Sequence, residues 1–140
     1  MEITNNAVQT VTANNNIVFN QTAVSGSSCI MHRTGSGLVT LRGLTNTQCR
    51  ARFRVTFGAN IAVPTGGTAG AISVAIAING EPVQTSSMIV TPAAVEEYNN
   101  VSASLFIDIP RGCCSQISVE NTSTQSIEVQ NANLIVERVA

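Results

Sequence analysis

Four cysteines, Cys29, Cys49, Cys113 and Cys114, are the most reactive side chains in this sequence. Four thiols allow three pairings. A zinc site would need ligand-like spacing, such as two residues between cysteines, and that spacing is absent. Cys29 and Cys49 fall near the starts of strand-like runs, and Cys113-Cys114 follow the turn signal Pro110-Arg111-Gly112. Two readings stand side by side. In one, the cysteines form a disulfide or an intermolecular staple in an oxidising medium. In the other, Cys29 and Cys49 are small buried hydrophobes and only the 113–114 turn is exposed. His32 is the single histidine, and no motif supplies the nucleophile and orienting group that catalysis would need beside it. Glu96-Glu97 are adjacent and read as a solvated pair, not as separated acid and base. The run Gly66-Gly67-Thr68-Ala69-Gly70 lacks the Lys-Ser/Thr ending and following helix of a phosphate cradle. It reads as a mobile inter-strand loop with Thr65, Gly66, Gly67 and Thr68 as candidate recognition residues. The glycan-acceptor triplets starting at Asn20, Asn100 and Asn121 read as chance matches in an Asn/Thr/Ser-rich chain. The expectation is a protein that is not an enzyme, with no catalytic residues, no metal and no cofactor.

The arginines carry a clearer pattern. Cys49 to Phe57 alternates, with Cys49, Ala51, Phe53, Val55 and Phe57 on one face and Arg50, Arg52, Arg54 and Thr56 on the other. Three same-face arginines repel one another unless they are matched. The chain has no lysine, so all seven of its cations are arginine. The planar guanidinium fork suits fixed, interfacial ion pairs. Charged residues are only 11% of the chain and the net charge is −1, which argues against a nucleic-acid partner. A weakly charged surface rich in hydrogen-bonding groups fits close packing against other subunits.

The elements that position these residues are strands. The 140 residues suit a single domain spanning 1–140. Aromatics are 4% of the chain, so the core must be built from Val, Ile, Leu and Ala. The spacing predicts short strands over 7–11, 16–19, 29–33, 38–42, 49–57, 71–79, 83–90, 101–109, 116–120, 126–130 and 134–139. A loop is expected over 58–70 and a turn at Asn79-Gly80. The one helix candidate is Pro92 to Tyr98, at most two turns after Thr91 as N-cap. Strands at such spacing predict an all-β sandwich. The last run is apolar on both faces: Leu134 and Val136 on one, Ile135 and Val139 on the other. A strand of that kind is covered on both faces, and another subunit is the simplest cover. No stretch of eighteen apolar residues exists, and the N-terminus has neither a basic nor an apolar segment, so neither a membrane span nor a standard signal is expected.

This series of strands resembles the trimeric jelly rolls of the tumour-necrosis-factor and complement globular-head superfamily. The resemblance lies in a split first strand (Val8 to Val11, then Ile17 to Phe19), a hairpin around Gly35-Ser36-Gly37 and the long alternating strand Arg50 to Phe57. It continues in the pair around Asn79-Gly80-Glu81-Pro82 and in an ending flush with the last strand. It implies a two-sheet antiparallel jelly roll of about ten strands. The phrases Gly37 to Gly43 and Asn133 to Ala140 also look like small proteins of gut Firmicutes and their phages. The implied function is structural assembly: a homotrimeric head decoration or fibre head of a phage virion, or a bacterial surface component. Its expected partners are itself and other virion or surface proteins, at an extracellular surface. The alternative is a module that binds a glycan or protein receptor through its loops. In such jelly rolls the outer face of one sheet meets at a three-fold axis. The resemblance then places the last strand beside Arg50–Phe57, and that strand beside Val101–Ile109. The expected interface is Arg50, Arg52, Arg54, Phe106, Asp108, Ile135, Glu137 and Val139.

Overall fold

The computed structural model describes all 140 residues. Its strands are β1 (Glu2–Asn5), β2 (Gln9–Val11), β3 (Gln21–Val24), β4 (Ile30–His32), β5 (Val39–Arg42), β6 (Arg50–Ala62), β7 (Ile72–Ile78), β8 (Glu81–Pro82), β9 (Met88–Val90), β10 (Asn99–Pro110), β11 (Cys114–Asn121) and β12 (Ile127–Arg138). One sheet runs β10-β6-β12-β1-β3, with β2 also on β12. The other runs β4-β5-β11-β7-β8, with β9 also on β7. All the pairings are antiparallel. The inner faces of the two sheets enclose one cluster of 29 buried residues, mostly Val, Ile and Ala with Phe19, Phe53 and Phe57 among them.

β6 is the spine. It alternates Ala51, Phe53, Val55, Phe57, Ala59 and Ile61 into the core and lies between β10 and β12. The loop expected from residue 58 begins only after this strand. Gly58 does not stop the ladder: it pairs with Ser102 on one side and Asn133 on the other. Ala59 and Ile61 continue the inward alternation, and burial outweighs the weak strand preference of one glycine. The partner strand absorbs the irregularity, with a register shift between Gln130 and Asn133 and Asn131 in the left-handed region at φ 55.

Three other expectations are corrected. The strand expected over 83–90 is broken by a single 3-10 turn, Gln84–Ser86. The buried Ser86 hydroxyl accepts from the Ile76 N–H at 2.9 Å and lies 2.7 Å from the Val83 carbonyl, so a side chain stands in for the ladder there. Residues 92–98 form no helix. Glu96 sits at φ 60, which ends any right-handed repeat, and its N–H donates to the Val63 carbonyl at 2.8 Å. Residues 16–19 make only an isolated bridge, Asn16 to Glu120. Ile17 and Phe19 are nonetheless fully buried. The edge of the first sheet is formed by β1 and β3, which pair with each other on either side of that segment.

Candidate functional site

The outer face of β10, β6 and β12 gathers the charged ladder. Arg52 stands opposite Asp108, and Arg54 stands between Phe106 on one side and Glu137 on the other. Arg50 is opposite Pro110, while Ile135 and Ser104 flank Thr56. Val139 extends the row past the end of β12, its N–H donating to the Arg52 carbonyl at 2.9 Å. All eight residues expected at an interface therefore lie on one sheet face.

The three arginines share two carboxylates. Arg52 grips Asp108 with two bonds, Nε to Oδ1 at 2.8 Å and Nη2 to Oδ2 at 3.1 Å. A fork on a carboxylate fixes orientation as well as charge. Arg50 adds Nε at 3.5 Å from the same carboxylate. Arg54 approaches Glu137 at 3.8 Å. Hydrogen bonding from Arg52 holds the Asp108 carboxyl below the usual carboxylate range, reinforced by the charges of Arg52 and Arg50. The same bond raises Arg52 above its ordinary value. The Arg52 guanidinium also lies 6.0 Å from the centre of the Phe106 ring, within cation–π reach. Phe106 is 64% exposed, Val139 45% and Ile135 38%. Thus three exposed apolar side chains are interspersed in a ladder whose cations already have partners, Phe106 on β10 and Ile135 and Val139 across β6 from it.

The cysteines separate. All four thiols are free; Cys29 is buried, while Cys49, Cys113 and Cys114 are exposed. The burial expected for Cys49 fails because it precedes β6, in the bend opposite Arg111, whose N–H donates to its carbonyl at 3.0 Å. Cys113 lies at the same end, its carbonyl accepting from the Gly43 N–H at 2.8 Å. Only glycine fits at 43, since a Cβ there would come 2.2 Å from the Pro110 carbonyl oxygen. Cys29 meets the Arg138 guanidinium, Nη1 to Sγ at 3.3 Å.

The loop Thr65 to Thr68 is strapped where mobility was expected. Thr65 donates to Glu96 Oε1 through both its N–H, at 3.1 Å, and its hydroxyl, at 2.8 Å. Gln125 clamps Thr68 from the other side, accepting its N–H at 3.1 Å and donating to its carbonyl at 2.8 Å. Gly66 has φ 91, and with Gly67, Gln125 and Ser126 it lines an open cleft of about 390 Å³. Beneath the strap, Tyr98 donates to Glu128 Oε2 at 2.8 Å. Desolvation first, then that hydrogen bond, pushes the phenol up to about 12. Spacing gave no sign of this network, because Thr65, Tyr98, Gln125 and Glu128 meet only in the fold. Glu96 and Glu97 are both exposed, as a solvated pair should be, and Glu96 is in addition a tethering group for Thr65.

His32 is placed structurally: Nε2 lies 2.9 Å from the Ser36 carbonyl, and the ring packs edge-on to Phe19 at 6.5 Å. Of the three glycan-acceptor triplets, Asn121 is fully buried with its amide donating to the Val11 and Gln125 carbonyls. No helix is long and apolar enough to cross a membrane.

No protein-family model matches the chain, and no curated protein matches it either. Among solved structures, the globular domain of zebrafish complement 1qA protein aligns over 96% of this chain and 93% of that chain, with TM-score 0.62 at 13% identity. CBM35 from Cellvibrio japonicus Abf62 aligns over 100% of this chain and 98% of that chain, at 10% identity and TM-score 0.42, too loosely to bear on function. The complement-domain likeness shows the fold: this chain is an all-β, two-sheet antiparallel jelly roll, with twelve strands where about ten were expected. β1, β3 and β8 are additional, residues 16–19 form no strand, and the runs expected over 126–130 and 134–139 join as the single β12 because Asn131 at φ 55 bends the ladder without ending it.

Proposed function

We propose that this protein is a non-catalytic assembly module that forms a homotrimer through the outer face of β10-β6-β12. The observation that carries the proposal is that Phe106, Ile135 and Val139 stand exposed on the same sheet face as a ladder whose arginines are internally matched. An exposed aromatic among arginines on one sheet face is a residue mix enriched at protein interfaces. A second copy is the occupant that fits, because the face carries three cations and two carboxylates and so need not repel itself. Closed rotational symmetry lets the same patch serve every subunit. The setting proposed is a virion, as head decoration or fibre head, or a bacterial surface, on the strength of the sequence phrases at 37–43 and 133–140. There Cys49, Cys113 and Cys114 are exposed at one end, available to staple neighbouring copies in an oxidising medium.

Sedimentation of Asp108→Ala at low concentration tests the proposal. The expected result is dissociation, because removing Asp108 leaves Arg50 and Arg52 unmatched at the contact. An intact oligomer at that concentration contradicts it. A second reading, a glycan- or protein-receptor module acting through Thr65, Gly66, Gly67 and Thr68, draws support from the strapped loop and its cleft. Glycan-array binding that disappears on deleting residues 65–68, with the oligomer unchanged, would favour that reading.

A further inference from the structure

The outer face of the second sheet carries a cleft of about 430 Å³, remote from the arginine ladder, and Asn14, Ser73, Gln84, Ser87, Glu120 and Ile89 line it. Several elements build it. Inward-facing Val119 and Val74 leave Glu120 of β11 and Ser73 of β7 on the outer surface. Ile89 of β9 pairs with Ser73, and Gln84 comes from the 3-10 turn. Asn14 is held over the end of β11 by its N–H bond to the Asn121 carbonyl at 2.9 Å. Ala75, opposite Glu120, is too short to fill the space between the strands. The volume lies within the range of about 300–1,000 Å³ typical of small-molecule sites.

Glu120 gives the cleft its chemistry. Its Oε2 is buried and has no hydrogen-bond partner. Buried acceptors in native proteins are almost always paired, so an unpaired one calls for a partner. The Glu120 side chain lines the cleft, and an ionised carboxylate there offers only acceptor sites. The other polar lining groups are amides and hydroxyls. No arginine or histidine lines the cleft, so an anion would meet the carboxylate with nothing to offset it. Ile89, 67% exposed, supplies an apolar surface beside them.

We infer that this cleft binds a neutral saccharide unit. Sugar hydroxyls donate to Glu120 and exchange hydrogen bonds with Asn14, Gln84 and Ser87, while the C–H face of the ring rests on Ile89. The site is separate from the Thr65–Thr68 loop and does not depend on trimer formation.

The test is a titration of the ¹⁵N-labelled full chain with galactose, glucose, mannose and N-acetylglucosamine at millimolar concentrations, followed by NMR. The expected result is saturable shifts at Ser73, Ile89, Glu120 and Thr122 with at least one sugar. Glu120→Ala should weaken binding by about ten-fold or more. Ile89→Ala, at an exposed position, should weaken it without disturbing the rest of the spectrum, and it carries the test if Glu120→Ala fails to fold. Three outcomes overturn the inference: no saturable shift with any of the sugars, shifts confined to Thr65–Thr68, or saturation of the cleft by methylamine at lower concentration than by any sugar.

Discussion

At the scale of single residues, Tyr98 offers the sharpest pH signature. It is the only tyrosine, so phenolate absorbance reports this side chain alone. Its folded value, about 12, lies above the ordinary value of about 10. The associated stability is fully present below about pH 10 and fades as pH rises through about 12. Urea midpoints measured across that window should fall more steeply for the wild type than for Tyr98→Phe, and parallel curves would contradict the assignment. Asp108 behaves with the opposite sign. Its lowered value means the contribution of the Arg52 pair is present above the ordinary carboxylate range and lost on acidification through the depressed value. Gly43→Ala tests the crowded cysteine end: a Cβ 2.2 Å from the Pro110 oxygen should cost about 1–3 kcal/mol in denaturant unfolding. The outward arginines were legible from alternation, since a period of two assigns every second residue to one face, while their partners on the neighbouring strands were expected only through the strand order that the resemblance implies. Glu120 and Tyr98 were not legible, because their roles depend on neighbours distant in sequence. Of the two readings left open for Cys49, burial rested on its place in the alternation and fails because the strand begins only at Arg50.

Among the elements, β6 and the divided β8–β9 segment show where periodicity succeeds and where it fails. β6 was legible as far as Phe57 because large apolar residues alternate without interruption. Its continuation to Ala62 was hidden by Gly58 and the small Ala59, whose burial comes from partners on β10 and β12. β3 gave no signal because all four of its residues are exposed, leaving no alternation to read. The 3-10 turn was hidden because it rests on one serine hydroxyl. Ser86→Ala should therefore cost about 1–3 kcal/mol by leaving the Ile76 N–H short of its partner, with the largest loss of amide protection at Ile76. An unchanged unfolding midpoint would mean that backbone or water replaces the hydroxyl. Phe53→Ala, in the middle of β6 and fully buried, should cost about 3–5 kcal/mol on the same scale.

For the whole molecule, sheet order decides the outcome. β10, β6 and β12 are neighbours although they are far apart in sequence, and that adjacency sets Arg52 against Asp108 and Arg54 against Glu137. The matched ladder and the exposed side chains of Phe106, Ile135 and Val139 are then properties of one surface. The two-faced pattern of the last strand already pointed to a covering partner, and in the fold its outward half is open while Leu134 and Val136 are fully buried. The most direct test of self-assembly is the solution mass of the purified chain by light scattering, with and without reductant. A discrete mass of three chains that reductant leaves unchanged is the result expected of a jelly-roll trimer joined through this face. A monomer at all concentrations, or large species that reductant collapses to monomers, would contradict it.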